Sequence, residues 1–169
     1  MAITLRPLHL TDIDDFMSWA ADEKAARFCS WEPYQDKSEA IEFINNQVLS
    51  HPWYRAICVD DRPVGAISVM PNTAARDRCR GELGYVLGSK FWGKGIGTAA
   101  VKLVAERIFV EWPELERLEA LVDVENLASQ RVLEKTGFQR EGVLRKYGVL
   151  KGKTRDYVMF SFLSTDLQS

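Results

Sequence analysis

The chain has 169 residues, 46% of them hydrophobic and 27% charged, and a formal net charge of −2, with an isoelectric point near 5.8. That composition belongs to a globular chain and excludes an intrinsically disordered one, and the slight acidity gives no general nucleic-acid footprint. The length predicts one domain, residues 1–169, large enough to bury about 68–70% of its unfolded surface.

Cys29, Cys58 and Cys79 are odd in number and lack metal-ligand spacing, so free thiols in a reducing compartment are expected, with no metal site. Met1 to Arg6 lack a signal-peptide pattern, and no run approaches the ~20 apolar residues of a membrane span. The reading is a soluble protein of the cytoplasm, with the nucleus as the second compartment, and neither nucleic acid nor membrane as a partner.

Ile3 to Leu8 reads as a first strand closed by Pro7, and Thr11-Asp12-Ile13-Asp14 starts a helix that turns Ile13, Phe16 and Met17 inward. A second short helical piece is expected from Glu23 to Phe28. Trp31-Glu32-Pro33-Tyr34 is irregular, because a residue before proline avoids the helical region. Ser38 is the expected cap of the next helix, with Ile41, Ile44 and Val48 on its inner face and its end before Pro52. Trp53 to Val59 and Val64 to Met70 read as strands joined by the polar turn Asp60-Asp61-Arg62-Pro63. Pro71 to Cys79 is a loop. Arg76, Arg78 and Arg80 form a basic cluster that is either a solvated run or an aid to holding anionic phosphates.

Arg80 to Leu87 alternates as a strand, Gly88-Ser89-Lys90 ends it, and Phe91-Trp92-Gly93-Lys94-Gly95-Ile96-Gly97-Thr98 leads into a helix with Val101, Val104, Ala105 and Ile108 on one face. Glycines at alternate positions before a helix let a ligand approach the backbone and leave the first-turn N–H groups pointing outward, which makes an anion site. Each hydrogen bond to a charged acceptor contributes about 1.5–3 kcal/mol, against roughly 0.3–1 for the helix dipole, so the amides dominate. Gly88, Gly93 and Lys94 have Walker spacing, but Gly95 stands where magnesium needs Ser or Thr; Gly93 and Gly95 open a dinucleotide fingerprint, but Thr98 replaces its third glycine. A glycine-rich turn without a ligand is the other reading of this stretch.

Trp112-Pro113-Glu114 breaks the chain and Leu118 to Val122 forms the next strand, so that strand, helix and strand suggest a parallel crossover and an α/β sheet. Asn126 caps a helix that runs through Lys135 and stops at Thr136-Gly137-Phe138. Val143 to Leu150 and Thr154 to Leu163, split by Lys151-Gly152-Lys153, read as a hairpin.

Two segments together resemble the GNAT superfamily of acetyl-CoA-dependent N-acetyltransferases, and within it the branch of the ribosomal-protein N-terminal acetyltransferases. The first is Glu82-Leu83-Gly84-Tyr85-Val86-Leu87 with Trp92-Gly93-Lys94-Gly95-Ile96-Gly97-Thr98; the second is Asn126-Leu127-Ala128-Ser129 with Glu134-Lys135-Thr136-Gly137-Phe138. Glu141 to Arg145 and Asp156-Tyr157 also resemble that branch.

The resemblance implies an α/β (α+β) fold: a mixed, twisted and splayed sheet of about seven strands flanked by about four helices. It implies that Tyr85, Val86 and Leu87 present backbone groups to the pantetheine arm and thioester, and that the amides from Trp92 through Gly93, Lys94, Gly95, Ile96 and Gly97 to Thr98 cradle the pyrophosphate of acetyl-CoA. Asn126 would hydrogen-bond the pantetheine and Ser129 would sit near the sulfur. Trp92 replaces the Gln or Arg of the broad superfamily, as is usual in this branch, and Leu133 stands where many relatives carry a general-acid tyrosine.

The expected reaction is direct attack of a neutral amine on the thioester, with Glu82 as base, directly or through water, backbone N–H groups near Val86 and Leu87 at the oxyanion, and Ser129 as substitute proton donor to the thiolate. Trp31, Glu32, Tyr34 and Tyr147 are the expected acceptor-binding residues, by analogy with the family's variable elements. A protein N-terminus ranks first as acceptor, a small polyamine or amino compound second and a lysine side chain third, in a monomer or homodimer. The competing reading is a catalytically silent acetyl-CoA-binding module. Taken singly, Glu82 also reads as a surface carboxylate, Asn126 as a helix cap, and Trp31, Trp53 and Trp92 as packing residues.

Overall fold

The computed structural model describes residues 1–168. Its strands are β1 (Ile3–Arg6), β2 (Tyr54–Val59), β3 (Arg62–Pro71), β4 (Arg80–Leu87), β5 (Arg117–Asp123), β6 (Gln139–Leu150) and β7 (Lys153–Leu163). Its α-helices are α1 (Ile13–Ala20), α2 (Glu23–Ala26), α3 (Lys37–Phe43), α4 (Ile96–Glu111) and α5 (Leu127–Lys135). The strands form one mixed seven-stranded sheet in the order β1-β2-β3-β4-β5-β7-β6, with β4 and β5 parallel as expected. Two compact units divide the chain: Met1–Ser68 with Tyr85–Ala100, and Val69–Gly84 with the chain from Val101 onward.

In the first unit, acidic residues Asp14 and Asp15 open α1, and the stripe Phe16, Trp19 and Ala20 is buried. These pack with Leu8, Ala40, Ile44 and Val48 over the small residues Ala56, Cys58 and Ala66 of β2 and β3. Ile13 and Met17, expected inside, are only partly buried at the rim of this core.

The cap of α3 is Asp36 rather than Ser38, because the Asp36 carboxylate reaches the Glu39 N–H at 3.2 Å and also accepts from the Ser38 hydroxyl. Ile41 is 39% exposed. The buried stripe is Ala40, Ile44 and Val48, at spacing four, and the chain from Ile44 to Val48 follows a π-helical turn that keeps this spacing in line. Between β2 and β3 the turn is tighter than expected: Asp60 and Asp61 alone make it, at φ 48° and 69°, the left-handed pair of a two-residue hairpin. Pro63 lies within β3, paired with Cys58 and next to a bulge where Val64 is left between the partners of Ile57 and Cys58, a position where the missing N–H is tolerated.

In the second unit β5 turns Leu118, Ala120 and Val122 inward, each in register with Phe162, Phe160 or Val158 of β7. Phe138 and Phe109 lie 5.3 and 6.3 Å from the Phe162 ring. Val101, Val104, Ala105 and Ile108 of α4 are all buried, as their spacing predicts.

A bidentate pair at 2.6 and 2.8 Å joins Arg117 to Glu141 and, with the Ser161 hydroxyl, holds the Glu141 pKa down to about 2. A depressed carboxylate stabilises the fold above its unfolded pKa, here 4.5, and that contribution is lost as pH falls through about 2. The melting-temperature gap between the wild type and Glu141→Gln should therefore be present at pH 7 and close over that window. A gap independent of pH would show that the pair contributes nothing through its charge.

Among the described residues, no helix is long and apolar enough to cross a membrane, and no group of His, Cys, Asp and Glu could hold a metal ion. The three cysteines are unbridged.

Candidate active site

The first unit carries the glycine loop. Gly93 and Gly95 adopt φ of 74° and 78°, a conformation that costs an L side chain roughly 1–2 kcal/mol, and nothing lies within 4 Å of the place a Cβ would take at either. Backbone conformation rather than crowding requires glycine here, and the space above the loop is open to a ligand. The Ala99 N–H makes the first helical bond, to the Gly95 carbonyl at 3.0 Å, so the N–H groups of Ile96, Gly97 and Thr98 precede the ladder and point out of the helix end.

Trp92 is 48% exposed, and its indole N–H donates to the Leu87 carbonyl at 3.1 Å, tying the loop to the end of β4. Lys90 and Lys94 each set an ammonium over the Phe91 ring, at 5.2 and 5.7 Å. The loop thus presents unpaired amides and two cations, a set that fits a pyrophosphate.

Two residues absent from the sequence reading hold this loop. The Asp22 carboxylate caps α2 and accepts the Ser89 N–H at 2.7 Å. Burial works to raise its pKa, but the bonds from Ser89, Ala25 and Lys24 outweigh it and hold the group low. Gly65 of β3 faces β4 so closely that a Cβ there would stand 2.2 Å from the Val86 carbonyl oxygen. The Gly88 N–H donates to the Val64 carbonyl at 3.0 Å. By the two-residue alternation of a strand, the Val86 amide also faces β3, whereas those of Tyr85 and Leu87 face away.

Trp31 and Tyr34 come together in this unit, with rings 5.9 Å apart and edge-on. Tyr34 also meets Phe16 and Phe43 at 6.0 and 6.3 Å, so it is half packed into the core, and burial raises its pKa. Glu32 between them is exposed.

The second unit carries the other candidates. Glu82 is accessible on β4, yet the surrounding protein removes enough water to raise its pKa; the neighbouring Glu119 raises it further and Arg80 opposes both. Asn126 is the cap of α5, its Oδ1 accepting the Ser129 N–H at 3.2 Å, which leaves its NH₂ as the donor. Gln130 anchors the same turn through the Asp123 and Val124 carbonyls at 3.3 and 3.0 Å. Leu133 is 1% exposed and belongs to the core, so the usual tyrosine position offers no hydroxyl here. Tyr147 lies on β6 beside Tyr157, rings 6.3 Å apart.

One mixed sheet thus carries a central strand that ends in a glycine loop and helix, and an asparagine-capped helix after the next parallel strand, the arrangement that the resemblance to acyl-CoA-dependent transferases implies. Residues 2–139 match the acetyltransferase (GNAT) domain, and the chain belongs to that family of acetyl-CoA-dependent acyltransferases. The N-acetyltransferase p20 of Bacillus licheniformis, itself uncharacterised, is 32% identical over 97% of this chain and 94% of its own length. The alanine N-acetyltransferase of ribosomal protein uS5 from Escherichia coli is 25% identical over 80% of this chain and 75% of its own.

Among solved structures, a GNAT-family acetyltransferase from Bacillus anthracis shares the fold with a TM-score of 0.85, at 20% identity over 97% of this chain and 96% of that one. The spermidine N-acetyltransferase of Vibrio cholerae, solved with CoA and spermine, gives a TM-score of 0.80, at 19% identity over 99% and 98% of the two chains.

Proposed function

We propose that the protein acetylates a protein or peptide N-terminus, by direct attack of the α-amine on acetyl-CoA bound at the loop from Trp92 to Thr98. The observation that carries cofactor binding is the open loop itself: two left-handed glycines with nothing above them, followed by unpaired helix amides. The uS5 alanine acetyltransferase among the relatives supports the acceptor. The polyamine reading stands second, on a likeness of fold to the spermidine enzyme.

Acetyl-CoA supplies the activated acyl group; the chain's own residues place it and handle the protons. The Leu87 amide, facing away from β3, is the donor aimed at the carbonyl oxygen, where charge develops. The Asn126 NH₂ holds the pantetheine. Glu82 takes the proton of the incoming amine, directly or through water. Deprotonation at pH 7 costs about 1–1.4 kcal/mol for an α-amine of pKa ~7.7–8.0 and about 4.6 kcal/mol for a lysine near 10.4, so the α-amine asks less of the base. A panel of peptides with free N-termini, polyamines and Nα-blocked lysine peptides, assayed for thiol release, tests this. Faster turnover of a polyamine than of every peptide would overturn the acceptor; CoA binding with no turnover on any amine would favour the silent module.

Ser129 is the proposed proton donor to the departing thiolate. Because the Asn126 cap uses only the backbone N–H of residue 129, Ser129→Ala should keep that cap and leave acetyl-CoA affinity nearly unchanged. It should lower kcat by up to about 10²-fold, the low end for general acid help, since a thiolate leaves readily. A wild-type kcat would move the search for the donor to Tyr147 and Tyr157.

A further inference from the structure

On the β4–β5 ladder Arg80 stands opposite Arg117, and Glu82 opposite Glu119. Opposed residues of a parallel ladder share a face, so two arginines and two glutamates spring from the corners of a rectangle about 5 Å by 7 Å. Each carboxylate could take one arginine. Instead both arginines go to Glu119: Arg80 at 3.3 Å and Arg117 at 2.8 Å. Each is also held from its far side, Arg80 by Asp77 at 3.3 Å and Arg117 by Glu141 at 2.6 Å. Among the described residues no cation stands within 4 Å of Glu82. The Glu119 side chain is 13% exposed, so water competes little for its pairs.

We propose that Glu119 is a positioning residue for the acetyl-transfer base: by drawing Arg80 and Arg117 onto itself it leaves Glu82 unpaired and free to take the proton of the amine. The proposal rests on the reading of Glu82 as base. Two like carboxylates in different surroundings divide the work, one as an anchor for cations and one as a proton acceptor. The charged groups acting on Glu82 are Glu119, which keeps its proton affinity up, and Arg80, which would lower it further if released. An arginine drawn to within about 4–6 Å of a carboxylate lowers its pKa by one unit or more.

The test titrates Glu82 directly, in full-length protein carrying ¹³C-labelled glutamate carboxyls, with its signal assigned by loss in Glu82→Gln. In Glu119→Gln the Glu82 midpoint should fall by about one pH unit, since a like charge is removed and Arg80 is set free. In Arg80→Gln it should rise, and in Glu119→Asp it should stay near the wild type. The acid limb of kcat/KM should follow in the same directions, a response that loss of structure alone does not produce. Arg80→Gln keeps the test alive if Glu119→Gln does not fold.

A Glu82 midpoint unmoved in both glutamine variants overturns the proposal. Midpoints that move while Glu82→Gln keeps wild-type turnover overturn it differently: the charge placement stands and the reading of Glu82 as base fails.

Discussion

Gly95→Asp is expected to abolish stabilisation by CoA and acetyl-CoA, weakening binding by at least about 10²-fold. Gly95 sits at φ 78° with nothing within 4 Å of the place a Cβ would take, so the aspartate Cβ meets no neighbouring atom. Its carboxylate instead stands where the pyrophosphate is proposed to lie. Two unit charges 4 Å apart near a protein surface repel by about 4 kcal/mol, which is close to a thousandfold in affinity. Gly95→Ala separates this from strain: the methyl group carries no charge, and the left-handed backbone costs roughly 1–2 kcal/mol of stability. Alanine should therefore lower the melting temperature while keeping most of the CoA-induced shift. Calorimetry and thermal shifts with CoA on both variants measure the two effects. An aspartate variant with the wild-type shift would remove the loop from the binding site.

Glu82→Gln should keep acetyl-CoA binding and lower kcat at neutral pH by about 10²–10⁴-fold, the range for loss of a general base. The deficit should shrink as pH rises past the acceptor's pKa, because more amine arrives already neutral. Stability should move the opposite way. Removal of water, and then Glu119, raise the folded pKa of Glu82, so its ionised form opposes folding above that pKa and the cost vanishes below the unfolded value of 4.5. The glutamine variant should thus melt higher than wild type at pH 7 and equally at low pH. A rate equal to wild type at every pH would make Glu82 a structural carboxylate.

Much of the fold and part of the candidate site follow from short-range rules. Gly93 and Gly95 announce left-handed backbone, Asn126 caps a helix through the N–H of Ser129 three residues on, and Val101, Val104, Ala105 and Ile108 repeat at the helical period; each signal acts within one or two turns of chain, and each is present in the structure. Where two short-range signals compete, the sequence decides less. Asp36 and Ser38 are both good caps, and the carboxylate that reaches the Glu39 amide takes the role. Leu133 marked a missing tyrosine, but that its position lies inside the core emerges only when α5 packs.

The supports of the site lie wholly beyond local rules. Asp22 bonds Ser89 across 67 residues, Gly65 is glycine because Val86 of the next strand comes so near, and Arg80 meets Glu119 across 39 residues. In the sequence these are an ordinary helix cap, a glycine in a strand and a charge in a basic run. A side chain's local propensity is set by its neighbours along the chain, whereas its hydrogen-bond partner and its electrostatic surroundings are set by whichever strand lies about 5 Å away. That choice is made by sheet order and register, so the pairing of both Arg80 and Arg117 with Glu119 and not with Glu82, two carboxylates alike in sequence, is decided by tertiary structure alone.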